Sequence, residues 1–204
     1  MPGGRPPFPV AAPLLPLLPD GGLRPGTVVA VRGSVSLLLA LLAAATADGV
    51  WAAVIGVPDL GVLAAVEAGV AVRRLALVPA PGPESSQVAA SLLDGVGLVA
   101  LSGADQLPSG ARRSLAARAR QRGSVLLPLG RWPSADVELE CRTDTWHGAE
   151  AGHGRLHSRE VLVRAAGRGA AARPWTARLL LPGPGGPVAA VTPGSDGADI
   201  RTVS

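Results

Sequence analysis

The stretch that decides the fold is Thr27-Val28-Val29-Ala30-Val31-Arg32-Gly33-Ser34-Val35-Ser36-Leu37-Leu38-Leu39, residues 27–39. Its first half is rich in β-branched residues, as a buried strand is. Its second half opens a Leu/Ala run that continues to Ala47 and reads as a helix. Gly33-Ser34 lies between the two, with Ser34 placed to cap the helix N-terminus. A Gly-containing turn between a first strand and a first helix is where α/β folds hold phosphate. The residues of this turn therefore bear on function as well as on fold.

Outward from this unit the alternation repeats. Val50–Val57 (VWAAVIGV) reads as a buried strand, followed by a helix that Asp59 can cap and Gly69 can end. Arg74–Val78 is a strand and Pro83–Leu93 a helix. Gly97–Ser102 (GLVALS) is a strand, and Ser109, after Pro108, can cap a helix that runs to Arg122 and stops at Gly123. Ser124–Leu129 (SVLLPL) is a fifth strand. Apolar strands alternating with helices predict a mainly parallel sheet covered on both faces. After Arg131 the pattern changes to period two: Val137–Cys141 (VELEC), Arg159–Ala165 and Thr176–Leu181 read as antiparallel strands, half-buried at Val137–Cys141. Four segments follow: a Pro-rich arm over 1–22, an α/β core over 23–133, an antiparallel extension over 134–182, and a loose Gly/Pro-rich tail over 183–204.

Composition narrows the function classes. The chain has 204 residues, 48% of them apolar, enough for a sizeable core. All 19 basic residues are Arg, and the net charge is only +4, so the isoelectric point near 11.1 argues weakly for nucleic acid. The single cysteine, Cys141, forms no intrachain disulfide and fits a reducing cytoplasm. The apolar run Val35–Ala47 stops at Asp48, short of the roughly 20 residues that span a membrane. Seven prolines within residues 1–19 prevent the helical core of a signal peptide.

The turn lacks the parts of a phosphate loop. That motif is G-x-x-x-x-G-K-[ST]; its second Gly admits the phosphates and its Lys neutralises them. After Gly33 come Ser34, Val35 and Ser36, with no second Gly, and the chain contains no Lys. Arg does not replace an ammonium inside a backbone cradle. The degenerate positions Gly33, Ser34 and Ser36 therefore predict no bound nucleotide and no other cofactor.

The order of these segments resembles RecA-type recombinases over about residues 20–132. Gly21–Ala30 is similar to the approach to the RecA phosphate loop, and Val54–Val78 to the segment bearing the catalytic carboxylate. By that register the catalytic Glu falls on Val57, the Asp ending the second motif strand on Leu101 or Ser102, and the γ-phosphate sensor pair at Leu129-Gly130-Arg131. All these positions depart from the family pattern.

A narrower resemblance is to the degenerate RecA-like proteins of actinobacterial mutagenesis cassettes, the ImuA-prime type. It is carried by Leu126–Pro133, by Gly152-His153-Gly154-Arg155-Leu156 and by Gly167–Pro174. It implies a non-catalytic role in DNA-damage-induced mutagenesis beside an ImuB-like, Y-family polymerase homologue and an error-prone DnaE-type polymerase. It also implies that the C-terminal part binds the ImuB-like protein. Trp146, Arg155, Arg159, Arg164, Arg168, Arg173, Trp175 and Arg178 are of types that favour interfaces, although antiparallel strands also carry such charges as plain surface. Truncation at Arg142 is expected to abolish partner binding, and truncation at Pro182 to matter less.

Three other constellations bear on function. Arg112, Arg113, Arg118, Arg120 and Arg122 crowd one helix, either as a solvated face or as a contact to phosphate backbone. No aromatic residue interleaves with them, so base stacking is not offered. His153 and His157 are spaced i, i+4, but Gly152 and Gly154 disfavour a helix, and with Cys141 and His147 they form no metal-ligand pattern. No G-x-S-x-G elbow appears. A DNA-binding or RecA-filament-modulating protein is the alternative reading.

Overall fold

A computed structural model describes the backbone of residues 5–147 and 158–191. Strands β1 (Val29–Arg32), β2 (Ala52–Ile55), β3 (Leu75–Val78), β4 (Leu98–Leu101) and β5 (Val125–Pro128) alternate with helices α1 (Val35–Ala47), α2 (Val62–Glu67), α3 (Ser85–Leu93) and α4 (Ser109–Arg122). Then come β6 (Val137–His147), β7 (Ser158–Gly167), β8 (Trp175–Leu180) and the short β9 (Ala189–Ala190). The expected α/β architecture, a parallel sheet flanked by helices with antiparallel C-terminal strands, is what the chain adopts.

Four parallel strands form one sheet in the order β3-β2-β4-β5, and a second, mixed sheet runs β1-β6-β7-β8-β9. The two meet where β1 passes β5, joined by parallel bridges Val28–Leu126 and Val31–Leu129. β6 pairs parallel to β1, Val29 opposite Val137 through Arg32 opposite Glu140, and antiparallel to β7. The residues after 133 are thus sheet neighbours of β1 itself and not an appendage to a finished core.

The alternation of side chains across these strands divides the core into two layers. Val29, Val31, Val54, Leu98, Leu127, Leu139, Val161, Val163 and Leu179 face α1. Val28, Ala30, Ile55, Val99, Leu101 and Leu126 face the other way, toward α3, α4 and Trp132. α1 is apolar on nearly every side, with Leu37 to Leu42 all buried, because it lies between the sheet and further apolar cover.

Part of that cover comes from the N-terminus, where the structure corrects the reading of a Pro-rich arm. Phe8 and Leu23 exchange both backbone hydrogen bonds at 2.9 Å. Ala12–Leu17 then forms a 3-10 helix started by Pro13, and Leu14, Leu17 and Leu18 are buried in the α1 layer. Each such leucine contributes about 2 kcal/mol by leaving water. The prolines do not loosen this segment; they preset the backbone of a tight turn.

Three boundaries also shift. α2 starts at Val62 with Gly61, not Asp59, at its N-cap. The segment from Pro83 begins as a 3-10 turn before α3 starts at Ser85. Ser109 is the first residue of α4 rather than its cap. The predicted stop holds: Gly123 takes φ +70°, the left-handed conformation that closes helices.

Candidate functional site

Between the end of β1 at Arg32 and the start of α1 at Val35 there are two residues, Gly33 and Ser34. Such a turn reverses the chain but leaves no loop to wrap a phosphate. Ser34 is committed to the helix, its Oγ accepting from the Leu37 N–H at 3.2 Å. Gly33 is required for packing. Its φ is +81°, and a Cβ built there would stand 2.3 Å from the Cys141 carbonyl oxygen on β6.

The space over the start of α1 is furnished from β7. The Arg159 guanidinium donates through Nη2 to Ser34 Oγ at 3.3 Å and through Nε to the Leu181 carbonyl at 3.0 Å. Cys141 is buried beside them; burial pushes its thiol up, opposed by a hydrogen bond with Ser34 and by the Arg159 charge. Arg32 is tied to Glu138 at 2.8 Å, and this hydrogen bond holds its guanidinium above the usual range. Ser36 is half-buried in the first turn of α1.

The neighbouring strand ends carry no acid where the RecA pattern places one. Val57 follows Gly56 just after β2 and is half-buried. Leu101 is fully buried, and the Ser102 N–H donates to the Ile55 carbonyl. Gly130 donates to the Val31 carbonyl, fastening the sensor position to β1.

The Arg-rich helix separates into distinct sides. Arg118 and Arg122, four residues apart, both engage Asp94 just after α3; Arg118 spans both carboxylate oxygens and Arg122 reaches one at 3.1 Å. The Arg118 hydrogen bond is the main cause that draws the Asp94 carboxyl down to about 2. Arg113 and Arg120, seven residues apart, share the opposite, exposed side, and Arg112 is half-buried. Asp94 has no local signal in the sequence, since its partners lie 24 and 28 residues away.

The C-terminal candidates separate too. Arg159 turns inward to Ser34, as above. Arg164 and Arg178 lie on the outer face of the second sheet, where Arg178 pairs with Glu160 at 2.8 Å and Arg164 stands across from Glu140 in register. Trp175, with Arg173, lines a cleft of about 180 Å³ with Pro16, Leu17, Pro19 and Ala171. Trp175 is 53% exposed and Leu15 40%. Arg168 is exposed near the same end. Trp146 lies on β6 opposite Arg159, its side chain outside the described residues, and Arg155, His153 and His157 lie outside them altogether. Sequence reasoning missed the N-terminal half of the Trp175 cleft, because it treated residues 1–22 as separate.

Residues 16–134, more than half of the chain, match the model of the MT3502 N-terminal domain. The chain belongs to the MT3502 N-terminal domain family. The matched span runs from the 3-10 helix to the turn before β6, so it contains the two-residue turn and all four helices. Among curated proteins this family member is similar to the uncharacterized protein Rv3395c of Mycobacterium tuberculosis. The two are 45% identical over 130 residues, 62% of this chain and 64% of that relative. Among solved structures it is similar to the RadB recombinase, with a TM-score of 0.62 at 15% identity over 84% of this chain and 94% of that one. That likeness shows a RecA/RadB-like fold. Among the described residues no helix is long and apolar enough to cross a membrane.

Proposed function

We propose that this protein is a non-catalytic accessory subunit of DNA-damage-induced mutagenesis. In this reading it bridges an ImuB-like Y-family polymerase homologue and an error-prone DnaE-type polymerase, the latter directly or through the former, in the cytoplasm. The observation that carries the reading is the two-residue turn Gly33-Ser34 in a RecA-like fold. A recombinase scaffold whose phosphate loop is reduced to a helix cap keeps its surfaces and gives up its chemistry. The ImuA-prime resemblance of residues 126–133 and 167–174 supplies the mutagenesis context.

The surface offered to the ImuB-like protein is the cleft of Trp175, Arg173, Pro16 and Pro19. An exposed Trp beside an Arg and rigid prolines is the composition of an interface centre, where single residues dominate affinity. Trp175→Ala is expected to weaken binding of the purified ImuB-like protein about thirtyfold, near 2 kcal/mol. Its melting temperature should stay close to wild type, since the side chain is half in solvent. Binding unchanged by this substitution would remove the cleft from the interface. The second reading, direct DNA contact, is favoured by the exposed side of α4.

A further inference from the structure

The five arginines of α4 come with no acidic residue in the helix. Two of them are satisfied by Asp94, at the α3 side. The other exposed side holds Arg113 and Arg120, about 10 Å apart along the axis at 1.5 Å per residue. What the fold brings to its C-terminal end is more positive charge. Arg5 donates through Nη1 to the Arg122 carbonyl at 3.5 Å, and the same atom stands 3.0 Å from where a Cβ on Gly123 would be. The backbone of Arg120 abuts Gly26, two residues beyond Arg24, which is itself bound to Asp20 at 3.6 Å.

The helix C-terminus favours cations in its last turn, which accounts for Arg120 and Arg122. It accounts for neither Arg113, more than two turns earlier, nor Arg5, which arrives from another segment. Among the described residues no carboxylate pairs with Arg5, Arg113 or Arg120, and like charges so placed repel each other until an anion is present.

We propose that Arg113, Arg120 and Arg5 form a strip that binds the phosphate backbone of duplex DNA. Duplex DNA is favoured over an acidic protein because the exposed residues of α4 include no apolar side chain larger than Ala117, which leaves nothing to anchor in a protein partner. It is favoured over single strands because no aromatic residue lies in the strip to stack bases, and the duplex carries one charge per about 1.7 Å. This strip sharpens the second reading above and is independent of the Trp175 cleft, so either can fail without the other.

The test uses the full chain and a fluorescein-labelled duplex of arbitrary sequence, titrated by anisotropy over a range of KCl. Arg113→Gln with Arg120→Gln is expected to lower affinity about tenfold and to make the slope of log K against log salt shallower by about 2, at roughly 0.9 per phosphate contact. Arg113→Lys with Arg120→Lys keeps the charge and is expected to keep most binding. Arg142→Gln, on the outer sheet face, removes one cation elsewhere and is expected to change neither quantity. The proposal is overturned if the duplex does not bind at low salt, or if the double Gln variant, melting as wild type does, binds equally well. It is also overturned if polyglutamate displaces the duplex as readily as unlabelled duplex does at equal charge, which would assign the strip to an acidic protein.

Discussion

Truncation after Arg142 is expected to yield a chain that does not fold. It removes β7 and β8, whose Val161, Val163, Ala165 and Leu179 are buried against the same layer as α1. It also leaves β6 without its antiparallel partner and removes Arg159 from Ser34. Val161, Val163 and Leu179 alone, at about 2 kcal/mol each, come to about 6 kcal/mol, comparable to the whole stability of an ordinary domain. Circular dichroism and urea titration should show no cooperative transition. A cooperatively folding fragment would mean that residues 5–142 form a complete core and that the second sheet is an accessory. Partner binding therefore has to be probed with point variants such as Trp175→Ala. Truncation at Pro182 is not neutral either, since Val188 is buried and β9 pairs with β8.

Gly33→Ala is the second large effect. The left-handed φ costs a β-carbon roughly 1–2 kcal/mol, and the new atom would press on the Cys141 carbonyl, which the β6 ladder holds in place. A total loss of about 3 kcal/mol, near 10 °C in melting temperature for a chain of this size, is expected. Gly82→Ala, also at positive φ but with open space around the added carbon, meets the backbone term alone and should lose roughly 1–2 kcal/mol. Equal losses at the two positions would show that contact with β6 is not what demands glycine at position 33.

The parallel core was legible because its signals are local. Apolar runs such as Ala52–Ile55 and Leu98–Leu101 announce strands buried on both faces, and Gly123 stops α4 where the sequence says it should. The alternation Val137-Glu138-Leu139-Glu140-Cys141 also carried its own explanation, placing Glu138 on the face where it meets Arg32. What could not be read is pairing between distant segments. Nothing near β6 says that it lies parallel to β1, which is why residues 134–182 read as an extension rather than as half of the sheet system. Leu14, Leu17 and Leu18 carry a helical spacing that the prolines around them obscure. Arg118, Arg122 and Asp94 are separated by a strand and a turn, so five arginines read as one charged face until the fold divides them. The Gly33-Ser34 turn was the most legible part of the candidate site, because a Gly and a capping Ser between a strand and a helix are local signals.

The account stands on that turn having no place for a nucleotide, and calorimetric titration with Mg-ATP measures this directly. The prediction is no heat of binding and no rise in melting temperature at millimolar ATP. A dissociation constant in the micromolar range, with the several-degree stabilisation that linkage requires of a ligand far above its Kd, would contradict it.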